Sequence, residues 1–232
     1  MIAIPASDQD DEETNESHPG CFSSFSPGET IRDKAGWGSW PEDHGFSFVA
    51  IEDTARDINF LTEKPFIAGR FTKRFTRSET KIKYRQPYQG RYGINSKEMS
   101  YSFTLLSPVL NGAFIFINSY SSQKIEGSTL YTIGLDNSFL PIISLELGHR
   151  YIVELQFHFD SNFYLIIVEA DAGKGASQYL DLRLSRISFS TLELCATPDA
   201  TGDMILHDLG SPLKEMSDLP GSKAIDDEDL LM

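Results

Sequence analysis

Cysteine is scarce in this chain, and its scarcity excludes one class of structural site. Among 232 residues there are two cysteines, Cys21 and Cys195, and no Cys-x-x-Cys pair. A zinc centre built from four thiolates is therefore excluded. The two thiols either form one disulfide that ties the N-terminal segment to a late strand or stay separate, and the sequence leaves both alternatives open.

Long apolar runs are missing as well. The longest, at 163–168, has the length of a strand, whereas a membrane-spanning helix needs roughly 18–20 apolar residues. The first residues have neither a basic region nor an apolar core, so we expect no secretory signal. We therefore expect no membrane span, and a protein that is either cytoplasmic or the mature form of a secreted one.

Several common catalytic signatures are also absent. The chain has no His-Glu-x-x-His, Gly-x-Ser-x-Gly or Gly-x-Gly-x-x-Gly pattern. The segment 171–175, Asp-Ala-Gly-Lys-Gly, lacks the first glycine of a phosphate loop and the Ser or Thr that follows its lysine. We interpret it as a hairpin turn.

Basic residues are in the minority, with 20 Lys and Arg against 34 Asp and Glu, for a net charge of -14. Many of the acids lie at the two ends of the chain, in 1–20 and 226–229. Acidic ends of this kind are typical of disordered segments. We predict an acidic disordered arm over 1–30, one β domain over 31–213 and an acidic C-terminal tail over 214–232.

The few bases are themselves unevenly placed. Residues 70–91 hold eight of them against the single acid Glu79, a local charge of +7. One interpretation is that Lys and Arg protect the edges of a strand pair against aggregation. The other is a cationic groove for an anionic partner, such as a polysaccharide, a nucleic acid, a lipid head group or the acidic tail of the chain. In that groove the anion-binding residues are Arg77, Lys81, Lys83 and Arg85, and Tyr84 stacks on the ligand's rings.

Turn-forming residues recur at short intervals, and no stretch keeps a helical period. The pattern predicts an all-β fold, an antiparallel β-sandwich or jelly roll of about ten strands. The predicted strands are 66–77, 79–86, 99–107, 113–120, 129–135, 150–159, 163–170, 178–184, 186–194 and 203–208. One short helix is predicted over 52–60.

The strand at 150–159 indicates which of its faces is solvated. Apolar side chains at every second position predict a core face, and the other face carries Glu154, Gln156, His158 and Asp160. His158 is the candidate acid or base because its unperturbed pKa lies nearest neutrality, and Gln156 is its candidate partner. Glu154 is a candidate ligand-binding residue. With Asp160 and Asn162 it also forms a candidate Ca²⁺ site. The alternative to a functional site is an ordinary solvent-exposed face of an antiparallel sheet.

One resemblance to a known family emerges from these segments. The run Arg77-Ser78-Glu79-Thr80, followed by the strand at 98–108 (Glu-Met-Ser-Tyr-Ser-Phe-Thr-Leu-Leu-Ser-Pro), is similar to concanavalin A-like jelly-roll polysaccharide lyases. Segments 148–154, 162–170 and 189–206 resemble later strands of that family in the same order. The resemblance covers roughly residues 66–210.

The resemblance implies a two-sheet jelly roll whose concave face binds uronate-containing chains and cleaves them by β-elimination. In that family an Arg, Gln or Asn neutralises the carboxylate, and a His or Tyr removes the C5 proton. On this chain the resemblance places Arg77 at the arginine position and Tyr101 at the aromatic strand position. The chain departs from the pattern at 116–120, which has no histidine where the family often shows Gln-x-His.

The leading hypothesis is a jelly-roll protein that binds an acidic polysaccharide or cleaves it as a lyase without a cofactor. His158, Gln156 and Tyr101 are the candidate catalytic residues. Two alternatives stay open. One is a non-enzymatic module of the viral, phage or effector type that binds a protein. The other is a single-stranded nucleic-acid-binding module, whose affinity would fall steeply with salt.

Overall fold

The protein's structure, a computed structural model, describes residues 22–34, 36–38, 45–53, 67–77, 79–85, 96–118, 121–134, 138–158, 161–181 and 191–209. All regular structure in those ranges is β, in twelve strands. They are β1 (Phe46–Glu52), β2 (Ile67–Lys73), β3 (Thr80–Arg85), β4 (Ser96–Ile117), β5 (Ser122–Gly127), β6 (Thr129–Ile133), β7 (Phe139–Ser144), β8 (Arg150–His158), β9 (Phe163–Ala170), β10 (Gly175–Asp181), β11 (Thr191–Ala196) and β12 (Thr201–Leu209).

The strands form two antiparallel sheets that share β4. Sheet A has the order β1-β2-β12-β4-β8-β9-β10. Sheet B has the order β3-β11-β4-β5-β6-β7. The predicted all-β jelly roll is therefore confirmed, with more strands than the ten expected. The predicted list lacks β1, β5 and β7, and two of its members are parts of β4.

A single long strand, β4, connects the two sheets. Its first half pairs with β8 and β12 in sheet A, and its last residues pair with β5 and β11 in sheet B. The two predicted strands 99–107 and 113–120, separated by a turn at Asn111-Gly112, are wrong in this respect. Asn111 has a φ of 58°, but the register shift here lets β4 change sheets without reversing direction, as strands do at the corners of sandwiches.

The core lies between the inward faces of the two sheets. Phe71 of sheet A meets Phe114 of sheet B with ring centroids 5.2 Å apart, and Phe103 and Tyr101 pack on Phe116. These rings are buried because alternate positions on every strand point inward. Burial of such apolar area, at about 25 cal/mol per Å², is the main stabilising contribution.

The folded domain begins earlier than predicted. Phe22 and Phe25 are buried, and Phe22 stacks on Trp37 at 5.2 Å. Gly69 leaves the space that these residues need, since a Cβ there would come within 2.7 Å of the Phe22 ring. Within the predicted acidic arm of 1–30, Phe22 and Phe25 therefore belong to the core of the folded domain. Residues 1–21 and 210–232, and the predicted helix beyond Asp53, lie outside the described ranges.

Candidate functional site

The outward face of sheet A carries the polar side chains of β8. On β8 the residues Val153, Leu155 and Phe157 are buried, whereas Glu154 and Gln156 point outward and are partly exposed. The predicted division of this strand into a core face and a polar face is thus confirmed. The amide Nε2 of Gln156 donates a hydrogen bond to Glu154 Oε1 at 2.5 Å, so the two side chains hold each other in place.

Three rings continue this face across β8, β9 and β10. His158 and Phe163 stack with centroids 4.6 Å apart and an interplanar angle of 23°. Phe163 in turn meets Tyr179 edge-on at 5.6 Å. Tyr179 is 70% exposed. We call His158, Phe163 and Tyr179 the ring ladder.

A shallow cleft lies beside the ring ladder, where β10 approaches β7. Its volume is about 270 Å³, near the lower end of the range of small-ligand pockets. Its lining residues include Phe163, Tyr179, Gln178, Asp181 and Leu140. The combination of ring faces with amide and carboxylate groups suits a ligand that has both apolar faces and hydroxyl groups.

Tyr101 does not belong to this site. It is 1% exposed, and its ring stacks on Phe116 inside the core at 4.5 Å. Its hydroxyl donates a long hydrogen bond of 3.4 Å to Gln123 Oε1. The prediction that Tyr101 acts in catalysis or contacts a ligand on the outward face is wrong, because strand alternation turns position 101 inward.

The burial of Tyr101 predicts a change in stability at high pH. Burial raises the pKa of its hydroxyl well above the usual 10.0, so above pH ~10 only the unfolded chain ionises this group and stability falls. The loss is about 1.4 kcal/mol for each pH unit above the usual value. Tyr101→Phe, compared with wild type by urea unfolding at neutral and alkaline pH, should remove that loss. Tyr179→Phe is the control, since its hydroxyl meets water in both states. Equal pH slopes for wild type and Tyr101→Phe would contradict this account.

The basic stretch does not form one surface. Arg70 lies on the outward face of sheet A, where its guanidinium forms a bidentate ion pair with the carboxylate of Asp203. Lys73 is 2% exposed and donates to Arg74 O and Thr76 Oγ1, and burial lowers the pKa of its amine. The side chains of Ile82 and Thr80 are buried, so Lys81 points outward from sheet B.

The basic stretch is therefore divided between the two sheets, whereas the residues predicted to bind the anion, Arg77, Lys81, Lys83 and Arg85, belong to β3 and to the connection that precedes it, so the groove stays a prediction. Positions 83 and 85 share the strand face of Lys81, and position 84 shares that of Ile82; the side chains at 83–85 lie outside the described set. Lys81 lies 3.5 Å from Glu79. Arg77 is exposed in the connection between β2 and β3. No part of this stretch lies on β8 or its neighbours β4 and β9, the strands next to His158 and Gln156.

A second polar cluster, absent from the sequence prediction, lies near the middle of the same sheet. Thr104 Oγ1 lies 2.8 Å from His207 Nε2, and His207 Nδ1 lies 2.8 Å from Asp53 Oδ2. The side chains of Thr104, His207 and Asp53 are all buried. Their burial is unexpected because positions 102 and 104 of β4 lie on the face that points away from the core. We call Thr104, His207 and Asp53 the buried triad. A signal existed in the sequence, since His207 and Asp208 interrupt the apolar alternation of β12, but the partners of His207 are more than 100 positions away.

The position of His207 results from an irregularity in β12. The register with β4 shifts between Leu206 and Asp208, so His207 is the extra residue of a bulge. Bulges redirect side chains and occur often beside functional sites. Next to the triad, Arg150 pairs with Thr104 across β8 and β4, and its Nη2 donates to Ser102 Oγ at 3.2 Å.

The candidate Ca²⁺ site is not assembled within the described ranges. Asp160 lies outside them, and the described His, Cys, Asp and Glu residues include no group of three placed to hold a metal ion. The described residues include no helix that is long and apolar enough to cross a membrane.

Comparisons with known proteins identify similar structures only. No protein-family model matches the chain, and no curated protein matches it in sequence. A GH131 β-glucanase catalytic domain from Podospora anserina has a TM-score of 0.49 and 9% identity, over 81% of this chain and 85% of that one. Peanut lectin has a TM-score of 0.40 and 11% identity, over 75% and 96% of the two chains.

A sialidase is similar with a TM-score of 0.47 and 10% identity, over 78% of this chain, which spans 17% of the sialidase's length. At this level of similarity the neighbours do not establish what this chain binds. The two-sheet antiparallel jelly roll that the resemblance implies is present in this chain, as the order and pairing of its strands show.

Proposed function

We propose that the outward face of sheet A binds an oligosaccharide. The observation that carries this proposal is the ring ladder, in which three rings on adjacent strands end in a tyrosine that is 70% exposed. A large exposed aromatic ring at the end of a row of packed rings is costly to leave in water and is typical of binding surfaces. The apolar face of a sugar ring can cover it.

The polar groups beside the ladder support the same ligand class. Glu154 and Gln156 are held by their mutual hydrogen bond, and together they present carboxylate and amide groups that can bind hydroxyls. Oriented side chains lose less conformational entropy when a ligand binds. Peanut lectin and the GH131 β-glucanase, which are similar to this chain in structure, are carbohydrate-related proteins by name. The proposal itself rests on the site.

The charges on this face favour a neutral glycan over an acidic one. Glu154, Glu169 and Asp181 lie on the outward side of β8, β9 and β10, and the nearest arginine on β8, Arg150, is bound to Ser102. A uronate chain would meet these carboxylates at close range, which costs binding energy. The finer hypothesis of a lyase acting on an acidic polysaccharide, with His158 as base and Gln156 as partner, is therefore the second arm of the experiment.

Binding to a panel of neutral and uronate oligosaccharides, measured by titration calorimetry, tests the proposal. Tyr179→Ala and Phe163→Ala should each weaken binding of the preferred neutral glycan about tenfold, which corresponds to ~1.4 kcal/mol. Phe75→Ala is the matched control, because Phe75 is 63% exposed and lies in the connection between β2 and β3. It should bind as wild type does.

Two results would overturn the proposal. One is the absence of binding to every glycan in the panel by the folded chain. The other is binding that Tyr179→Ala and Phe163→Ala leave unchanged. A preference for uronates, with ultraviolet absorbance of an unsaturated product that His158→Ala abolishes, would instead establish the lyase.

A further inference from the structure

The buried triad has the geometry of a nucleophile, a base and an orienting acid. Asp53 follows β1, His207 lies on β12 and Thr104 lies on β4, so the chain of contacts crosses the middle of sheet A. Both links measure 2.8 Å, within the range expected of an activated hydroxyl and its base. The ring ladder lies about 26 Å away, since His158 pairs with Ser96, eight residues from Thr104 along β4 at 3.3 Å per residue.

The chemistry of Asp53 determines the direction of these hydrogen bonds. An ionised carboxylate only accepts, so in the neutral form of the His207 ring the hydrogen is assigned to Nδ1, which donates it to Asp53 Oδ2. The Nε2 atom then has a free lone pair and accepts from the Thr104 hydroxyl. The hydroxyl proton therefore points at the atom that would remove it, which is the arrangement a nucleophile requires.

The burial of the triad argues for a role beyond cohesion. His207 and Asp53 have side chains 2% and 1% exposed, and taking such groups out of water costs several kcal/mol before their mutual attraction is counted. Apolar side chains of similar volume would join the three strands at less cost. Costly polar groups of this kind concentrate at sites of chemistry.

Arg150 supplies the remaining element of such a site. It is the direct cross-strand neighbour of Thr104, so the two Cβ atoms are about 5 Å apart. Its guanidinium reaches Ser102 on the same outward face of β4. A cation in a water-poor setting beside a nucleophile stabilises the negative charge that develops on an attacked carbonyl oxygen.

We propose that Thr104, His207 and Asp53 hydrolyse a short-chain acyl ester, with Arg150 stabilising the oxyanion. Thr104 Oγ1 bonds to the ester carbon while its proton passes to His207 Nε2. The bond from that carbon to the alcohol oxygen then breaks, and the leaving alcohol takes the proton from Nε2. Water, deprotonated by Nε2, attacks the acyl-threonine. Cleavage of the Thr104 ester bond releases the carboxylic acid and restores the hydroxyl. Asp53 is a positioning residue that keeps the hydrogen on Nδ1.

Two measurements on the full chain test this inference. The first is hydrolysis of p-nitrophenyl acetate, where Thr104→Val should lower kcat/KM at least about 100-fold and Thr104→Ser should retain activity. The second is labelling with a fluorophosphonate, which forms a P–O bond to the nucleophile and releases fluoride. Peptide mass spectrometry should find the adduct on Thr104.

A matched control separates chemistry from loss of packing. Thr132 is also a buried threonine whose hydroxyl makes a 2.8 Å hydrogen bond, to Tyr164 on the core side. Thr132→Val should lose comparable stability and retain the esterase rate. The inference is overturned if wild type hydrolyses the ester no faster than a folded Thr104→Val chain, or if the adduct forms on another residue. Neither result depends on glycan binding, because the ring ladder is left intact.

Discussion

Phe103→Ala is expected to destabilise the protein by about 3–5 kcal/mol. Phe103 is fully buried on the strand that joins the two sheets, and its ring meets those of Tyr101, Phe116 and Tyr151. Removing the ring loses its burial and leaves a cavity that these neighbours cannot refill, since they are themselves fixed by other rings. The measurement is equilibrium unfolding in urea at neutral pH.

Phe75→Ala is the control for the Phe103 experiment. Its ring is 63% exposed, so truncation should change the free energy of unfolding by less than about 0.5 kcal/mol. Similar losses for the two variants would show that β4 does not have the central place in the core that we assign to it. A low m-value for Phe103→Ala would indicate that the sheets no longer unfold together.

Asp53→Ala is expected to cost about 3 kcal/mol, because it leaves His207 buried without its carboxylate partner. The same chain offers a comparison of equal geometry and different burial. His149 Nδ1 lies 2.9 Å from Asp171 Oδ1 at the surface, with side chains 41% and 50% exposed. Water and salt screen that pair, so its loss should cost no more than about 1 kcal/mol.

The comparison is made by unfolding Asp53→Ala and Asp171→Ala under the same conditions. Asp171→Ala also loses the hydrogen bond that Asp171 accepts from the Arg150 amide. The control therefore removes one interaction more than the exposed pair itself. If Asp53→Ala loses no more stability than Asp171→Ala, the buried pair does not stabilise the fold as its burial implies. The burial argument would then no longer support the esterase inference, which would depend on the labelling experiment alone.

The polar face of β8 was predictable because it depends on a local rule. Successive side chains of a strand point to opposite faces, so Glu154 and Gln156 could be assigned to one face from their spacing alone. The same rule predicted that Lys81 would oppose Ile82, which the structure confirms. It could not assign the outward faces of β3 and β8 to the same or opposite sides of the sandwich, and here they lie on opposite sides.

Turn signals were a weaker guide, since the same residues permit more than one backbone path. Asn111-Gly112 is typical of a chain reversal, yet here β4 continues and changes sheets. At Gly112 a Cβ would lie 2.2 Å from Thr197 Oγ1, so the glycine allows a close approach between β4 and the turn that follows β11. The burial of Phe22 and Phe25 was not predicted because the acidic composition around them is typical of disorder, whereas Phe22 packs in the space that Gly69 leaves.

The sequence by itself determined the strand class, the alternation within individual strands and the absence of several familiar catalytic motifs, all of which depend on residues within a few positions of one another. Only the tertiary structure decided that the basic stretch would be divided, that Tyr101 would be buried and that Thr104, His207 and Asp53 would meet. Those outcomes depend on which strands pair and in what register. Register is set by packing of the whole core between two sheets, so no local pattern contains it.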